Sequence, residues 1–89
     1  MIKHLEFRIM GRVQGVYFRQ ATKIQAEVLS LTGSVRNCDD GSVCIEVEGD
    51  DKQLSKFAAW CQNGPKSAKV DEVKINEGPV VGFQKFQII

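Results

Sequence analysis

The hydrophobic residues of this chain change period several times, and the order of those changes constrains the fold more than any other feature. Residues 3–10 alternate, with Leu5, Phe7 and Ile9 on one face and His4, Glu6 and Arg8 on the other. That is the pattern of a strand with one buried face. From about Tyr17 to Ser30 the spacing turns helical: Phe18, Ala21, Ile24 or Gln25, and Val28 recur every three to four residues, with the helix formers Gln25-Ala26-Glu27 in the middle. Gly33 is the candidate break into a second strand, Ser34 to Cys38, and Asp39-Asp40-Gly41-Ser42 reads as a hairpin turn. Beyond it Val43, Ile45 and Val47 face inward while Cys44, Glu46 and Glu48 face outward, and Gly49 closes the strand. Asp50 and Gln53 have capping-box spacing, and Leu54, Phe57, Ala58 and Cys61 form one helical stripe. Gly64-Pro65 stops that helix, and Trp60 beside the stripe is expected to pack at its edge. Val73 and Ile75 mark a fourth strand and Phe86 and Ile88 a short last one, with Gly78-Pro79 and Gly82 in the loop between.

The order is β-α-β-β-α-β plus a short C-terminal strand. Two right-handed crossovers around a central hairpin give an α+β, ferredoxin-like sandwich with an antiparallel or mixed sheet. Each helix has one apolar stripe and the strands one apolar face, so both helices belong on the same side. The other face, carrying His4, Glu6, Arg8, Cys44, Glu46 and Glu48, is expected to be polar and wet.

Composition excludes several classes. The 89 residues suffice for a single domain, 1–89, and 43% hydrophobic with 26% charged is a globular balance. A net charge of +1 lacks the basic surplus of a general nucleic-acid binder. No apolar run approaches the roughly 20 residues of a membrane-spanning helix. The charged start, Met-Ile-Lys-His-Leu-Glu-Phe-Arg, is unlike a signal peptide, so a cytoplasmic protein is expected; a monomer is expected as well. Cys38, Cys44 and Cys61 are odd in number, lack CxxC spacing and are expected to be free thiols. His4 is the only histidine, too little for a structural zinc site with those cysteines.

The informative segment is Gly11-Arg12-Val13-Gln14-Gly15-Val16-Tyr17-Phe18-Arg19, between a strand end and a helix start. Glycines let successive backbone N–H groups converge in a concavity, and a helix N-terminus adds unpaired donors and a positive dipole end. Such a cradle suits a phosphate, and Arg19 can add a bidentate contact to two of its oxygens. The segment lacks the Gly-Lys-Ser/Thr of a Walker A loop. On spacing alone the signal is weak, and a structural loop with a surface arginine is the better account.

The run Gly-Arg-Val-Gln-Gly-Val-x-Phe-Arg at 11–19 nevertheless resembles the signature of the acylphosphatase family almost letter for letter. A second resembling segment, Leu31-Thr32-Gly33-Ser34-Val35-Arg36-Asn37, is followed by Asp40-Gly41 and Val43. Gly64-Pro65 and Ala68-Lys69-Val70 resemble the family's later loop and strand start. The resemblance implies a ferredoxin-like fold and hydrolysis of acyl phosphates to a carboxylate and inorganic phosphate. It implies that the amides of Gln14, Gly15, Val16, Tyr17, Phe18 and Arg19 bind the phosphoryl oxygens. It further implies that Arg19 is the essential phosphate-binding arginine, that Asn37 positions the attacking water, and that no metal or cofactor takes part. The partners expected are a small acyl phosphate and inorganic phosphate as product and inhibitor, with no nucleic acid and no membrane.

The chemistry is coherent on its own terms. With no base nearby, an amide at Asn37 can only orient water, and the bound phosphoryl group itself accepts the proton. No general acid is visible, which favours a leaving group with a pKa around 4. Tyr17 stands where many members carry a small residue and is expected to pack on the helix. Ser34 replaces a common aromatic and should face the open side of the sheet. Cys38 is expected to be a passive thiol, and Arg12 and Arg36 to be solvated surface charges. The alternative function is a non-catalytic phosphoryl-anion-binding module. An RNA-binding sheet is disfavoured because the outer face shows Glu6, Arg8, Glu46 and Glu48 rather than aromatics.

Overall fold

In the computed structural model, which describes residues 1–89, the period changes of the sequence become seven elements. They are β1 (Ile2–Arg12), α1 (Phe18–Val28), β2 (Thr32–Asn37), β3 (Val43–Asp50), α2 (Asp51–Cys61), β4 (Lys69–Gly78) and β5 (Phe86–Ile88). The strands form one sheet in the order β4-β1-β3-β2-β5. β3 pairs antiparallel with both β1 and β2, β4 pairs antiparallel with β1, and β5 lies parallel to β2. Each helix therefore connects two strands that are separated by a third, the ferredoxin-like arrangement with an added C-terminal strand. No helix is long and apolar enough to cross a membrane.

The core is the inner sheet face against both helices. Phe7, Ile9, Val35, Val43, Ile45 and Val47 are buried with Phe18 and Ala26 of α1 and Leu54, Phe57 and Cys61 of α2. Phe7 meets Phe57 edge to face at 5.4 Å, and Trp60 packs against Phe18 and Phe57 at the margin of α2. Asp50 caps α2 by accepting the N–H of Gln53 at 3.0 Å. Burial pushes the Cys61 thiol pKa up, so that thiol stays protonated.

The α1 stripe differs from the expected one. The buried positions are Phe18, Thr22 and Ala26, whereas Ile24 and Val28 are exposed. Thr22 can be buried because its hydroxyl donates to the Phe18 carbonyl at 2.8 Å, hiding its polarity inside the helix. The helix also ends earlier than Gly33. Leu29 caps it and Ser30 takes the left-handed conformation, which leaves Thr32 and Gly33 to start β2.

The outer sheet face is not uniformly wet. His4 is 1% exposed and Glu48 3%, because the loop between β4 and β5 folds over them. Glu48 accepts the N–H groups of Val81, Gly82 and Phe83 at 2.6, 3.0 and 3.2 Å, and His4 Nδ1 lies 2.7 Å from the same carboxylate. Alternation specifies a face, but what covers that face comes from a distant loop. Burial raises the carboxyl pKa of Glu48, yet the three amides and His4 outweigh it and pull the value down to about 2. Burial likewise disfavours the charged imidazole of His4, but its bonds to Glu48 and Glu6 prevail and its pKa lies above the ordinary value.

The cysteines also depart from expectation: Cys38 and Cys44 are joined in a disulfide and only Cys61 is free. The hairpin is the reason. Its register sets Arg36 opposite Cys44 and Asn37 opposite Val43, so Cys38 begins the turn almost across from Cys44. Structural disulfides are uncommon in reducing compartments, so this bond's state will follow the surrounding redox poise.

Candidate active site

The segment joining β1 to α1 is held by alternate residues. Val13, Val16 and Phe18 point into the core, while Gly15 and Tyr17 stay outside. Gly15 has φ +74 with open space where a Cβ would stand, and Tyr17 has φ 64. Left-handed residues alternating with ordinary ones curl a backbone so that its amides face one concavity. Tyr17 is the N-cap of α1, makes no side-chain capping bond, and no acidic residue occupies the first turn. The first-turn amides are thus left for another acceptor.

Two side chains lock the loop from behind. Gln14 Nε2 donates to the carbonyls of Cys38 and Ser42 at 2.8 and 2.9 Å, tying the loop to the β2–β3 hairpin. Ser67 Oγ donates to the Val16 carbonyl at 2.5 Å from the other side. The hairpin is itself braced, because Asp40 accepts from the Ser42 amide and hydroxyl and from Arg8 Nη1. Ser42 foremost, and Arg8 with it, hold the Asp40 carboxyl below its usual range despite the opposing effect of desolvation.

The result is a hollow of about 310 Å³ lined by Val13, Gly15, Tyr17, Phe18, Arg19, Gln20 and Asn37. Arg19 from the first turn of α1 and Asn37 from the end of β2 thus face one space. Of the residues expected there, Gly15, Tyr17, Phe18, Arg19 and Asn37 line it, whereas the side chains of Gln14 and Val16 serve as anchors behind it. Tyr17 does not pack on the helix: it is 75% exposed at the rim, turned outward by its left-handed backbone. Ser67 and the Gln14 side chain support the loop without any signal in the sequence, because each bonds a backbone carbonyl far along the chain.

The lining contains one permanent cation and no carboxylate, imidazole or thiol. His4 lies eight residues before Arg12 on β1, about 26 Å along an extended strand. A phosphoryl group would therefore meet amide donors, a helix N-terminus, a guanidinium and the two carboxamides of Gln20 and Asn37, but no side chain able to exchange a proton near neutral pH.

The family model for acylphosphatase matches residues 5–88, nearly the whole chain. This chain belongs to the acylphosphatase family. The acylphosphatase of Synechococcus sp. (strain RCC307) is 44% identical over 82 residues, spanning 92% of this chain and 70% of that protein. That of Thiobacillus denitrificans is 43% identical over 86 residues, spanning 94% of this chain and 97% of that protein. The crystal structure of the Bacillus subtilis acylphosphatase superposes with a TM-score of 0.95 at 34% identity, covering 100% of this chain and 99% of that one. Family membership, fold and close relatives agree, and the chain is an acylphosphatase enzyme that acts on acyl phosphates.

Proposed function

We propose that the hollow between the β1–α1 loop and Asn37 hydrolyses the carboxyl–phosphate bond by direct attack of water on phosphorus. The loop amides and the N-terminus of α1 take the phosphoryl oxygens, and Arg19 bridges two of them through its planar fork. Asn37 accepts a hydrogen bond from water and holds it in line with the leaving oxygen. As the new P–O bond forms, the bond to the acyl oxygen breaks and its electron pair leaves with the carboxylate. The water proton passes to a phosphoryl oxygen, so the products are carboxylate and protonated phosphate. Stabilisation comes from donors already aimed at the developing charge.

The observation that carries this reading is the composition of the lining, which offers anion donors and a water-orienting amide but no acid or base. An alkoxide leaving group would need a proton that nothing supplies, whereas a carboxylate leaves without one. One copy of the chain furnishes every group, so the working unit is a monomer, with the cytoplasm as its compartment and inorganic phosphate as a competitive inhibitor. Because the lining carries no carboxylate, imidazole or thiolate to anchor a cation, turnover should not depend on a bound ion.

The test uses two variants and benzoyl phosphate. Asn37→Ala should lower kcat by about 100-fold or more while the inhibition constant of phosphate barely moves, since a misplaced reactant costs rate rather than ground-state affinity. Arg19→Lys should weaken phosphate inhibition and turnover together. Loss of phosphate affinity with full saturated turnover in Asn37→Ala would refute the water-positioning role.

A further inference from the structure

At the end of β1 remote from the phosphate loop, the open sheet face carries a compact group that the hydrolysis does not use. The register of β1 and β3 sets His4 opposite Glu48 and Glu6 opposite Glu46. Like charges directly opposite on one face destabilise a strand pair unless a cation lies between them. Neither Glu6 nor Glu46 has a lysine or arginine partner. Their only cationic contact is His4 Nε2, at 3.3 and 3.7 Å. That imidazole is already shared with Glu48, so the cluster retains an excess of negative charge.

The imidazole is also oriented as in a metal site. Its ring is 1% exposed, and its Nδ1 is held by a carboxylate that three backbone amides fix in turn. Metal-binding histidines characteristically donate their other ring N–H to such a carboxylate, which sets the tautomer and aims the free nitrogen. Here the aimed nitrogen is Nε2, and it points at two carboxylates that are 51% and 47% exposed and so open to an ion from solvent. Across from His4 on β4 stands Gly78, where a Cβ would press within 3.1 Å of His4 Cδ2 and 3.2 Å of Glu6 Oε2. Glycine keeps that side of the cluster clear.

We propose that His4 Nε2, Glu6 and Glu46 bind one divalent transition ion of the zinc type, with water completing its shell on the solvent side. The three donor atoms lie within 4.8 Å of one another. Donors around a tetrahedral ion with bonds of about 2.0–2.1 Å stand about 3.4 Å apart, close to the His4–carboxylate separations. One nitrogen with two carboxylate oxygens suits Zn²⁺ better than Ca²⁺ or Mg²⁺, which prefer shells built wholly of oxygen. On binding, the Nε2–H bond is replaced by an Nε2–metal bond and any proton there leaves to solvent. The ion would join β1 to β3 beside the buried His4–Glu48 pair, adding stability at a point far from the reaction.

The test titrates chelator-treated protein, its disulfide intact, with ZnCl2 alone. Calorimetry should show one ion per chain, and a hundredfold excess over Kd should raise Tm by about 10 °C or more. The His4 Nε2 resonance should shift as the ion binds. The double variant Glu6→Gln, Glu46→Gln alters half-exposed side chains, so it should fold normally by circular dichroism and keep its acyl phosphate turnover. It should lose Zn²⁺ affinity by about 100-fold or more. No heat and no Tm shift at millimolar Zn²⁺, an unmoved His4 resonance, or undiminished affinity in the folded double variant would each overturn the site.

Discussion

Replacing Glu48 by glutamine removes a charge from the most heavily bonded side chain in the molecule without changing its size. The carboxylate accepts from His4 Nδ1 at 2.7 Å and from the amides of Val81, Gly82 and Phe83 at 2.6, 3.0 and 3.2 Å. A glutamine keeps one acceptor oxygen but turns an NH2 toward groups that are themselves donors. Hydrogen bonds to a charged group contribute about 1.5–3 kcal/mol each, and the amide can keep some of them in weaker, neutral form. Breaking one side of a buried ionic pair typically costs about 3–5 kcal/mol, and with His4 and Glu48 only 1% and 3% exposed that range applies here. For a domain of this size about 3 kcal/mol corresponds to a Tm fall of about 12–24 °C. Urea unfolding followed by fluorescence of Trp60, the only tryptophan, measures the loss directly. Hydrogen exchange at Val81, Gly82 and Phe83 should accelerate together, while kcat and KM well below the new Tm stay unchanged because the hollow is at the far end of β1. A loss under about 1 kcal/mol, or exchange that accelerates elsewhere first, would show that the carboxylate does not hold the loop.

Three further expectations rest on other parts of the structure. In metal-free buffer, Tm should peak between about pH 5 and 6.5: Glu48, depressed to about 2, stabilises above its unfolded value and loses this as pH falls toward 2, whereas His4, raised, stabilises below its unfolded value and loses this as pH climbs through its folded one. A Tm that is flat from pH 2 to 9 would contradict both. Tyr17→Gly should stabilise by about 1 kcal/mol in urea titrations, since a left-handed residue with an exposed side chain loses strain and little packing; a net destabilisation would mean that the ring does hold the rim. Gln14→Ala removes two neutral hydrogen bonds between loop and hairpin and should cost about 2 kcal/mol, with kcat falling more than phosphate affinity; unchanged turnover would show that Asn37 is placed without that link.

The parts of the fold that could be read from sequence are those in which local pattern and tertiary burial agree. β3 alternates cleanly because Val43, Ile45 and Val47 all enter the core, and α2 carries a matching cap, stripe and stop. α1 misleads because Thr22 hides its hydroxyl on the Phe18 carbonyl, so a polar residue takes a core position and Ile24 is left outside. His4 and Glu48 lie on the expected face, but their burial depends on a loop more than thirty positions further along the chain. At the hollow, the glycine-containing turn and Arg19 stand out in the sequence by their place between a strand end and a helix start, while Asn37 draws notice only through family resemblance. The disulfide had a readable signal that spacing rules for isolated motifs pass over: Cys38 and Cys44 flank the hairpin turn that brings them together.

The order β4-β1-β3-β2-β5 has a consequence for synthesis. β1 precedes every other strand in the chain, yet its two neighbours are β3 and β4, the second of which ends at Gly78. At about 5–20 residues per second, the strand that leads into the β1–α1 loop leaves the ribosome several seconds before its second edge can be covered. The loop's outer brace, Ser67, arrives almost as late. Catalytic competence therefore appears only when nearly the whole chain is available, and a nascent or prematurely terminated chain exposes a half-paired apolar strand to aggregation instead.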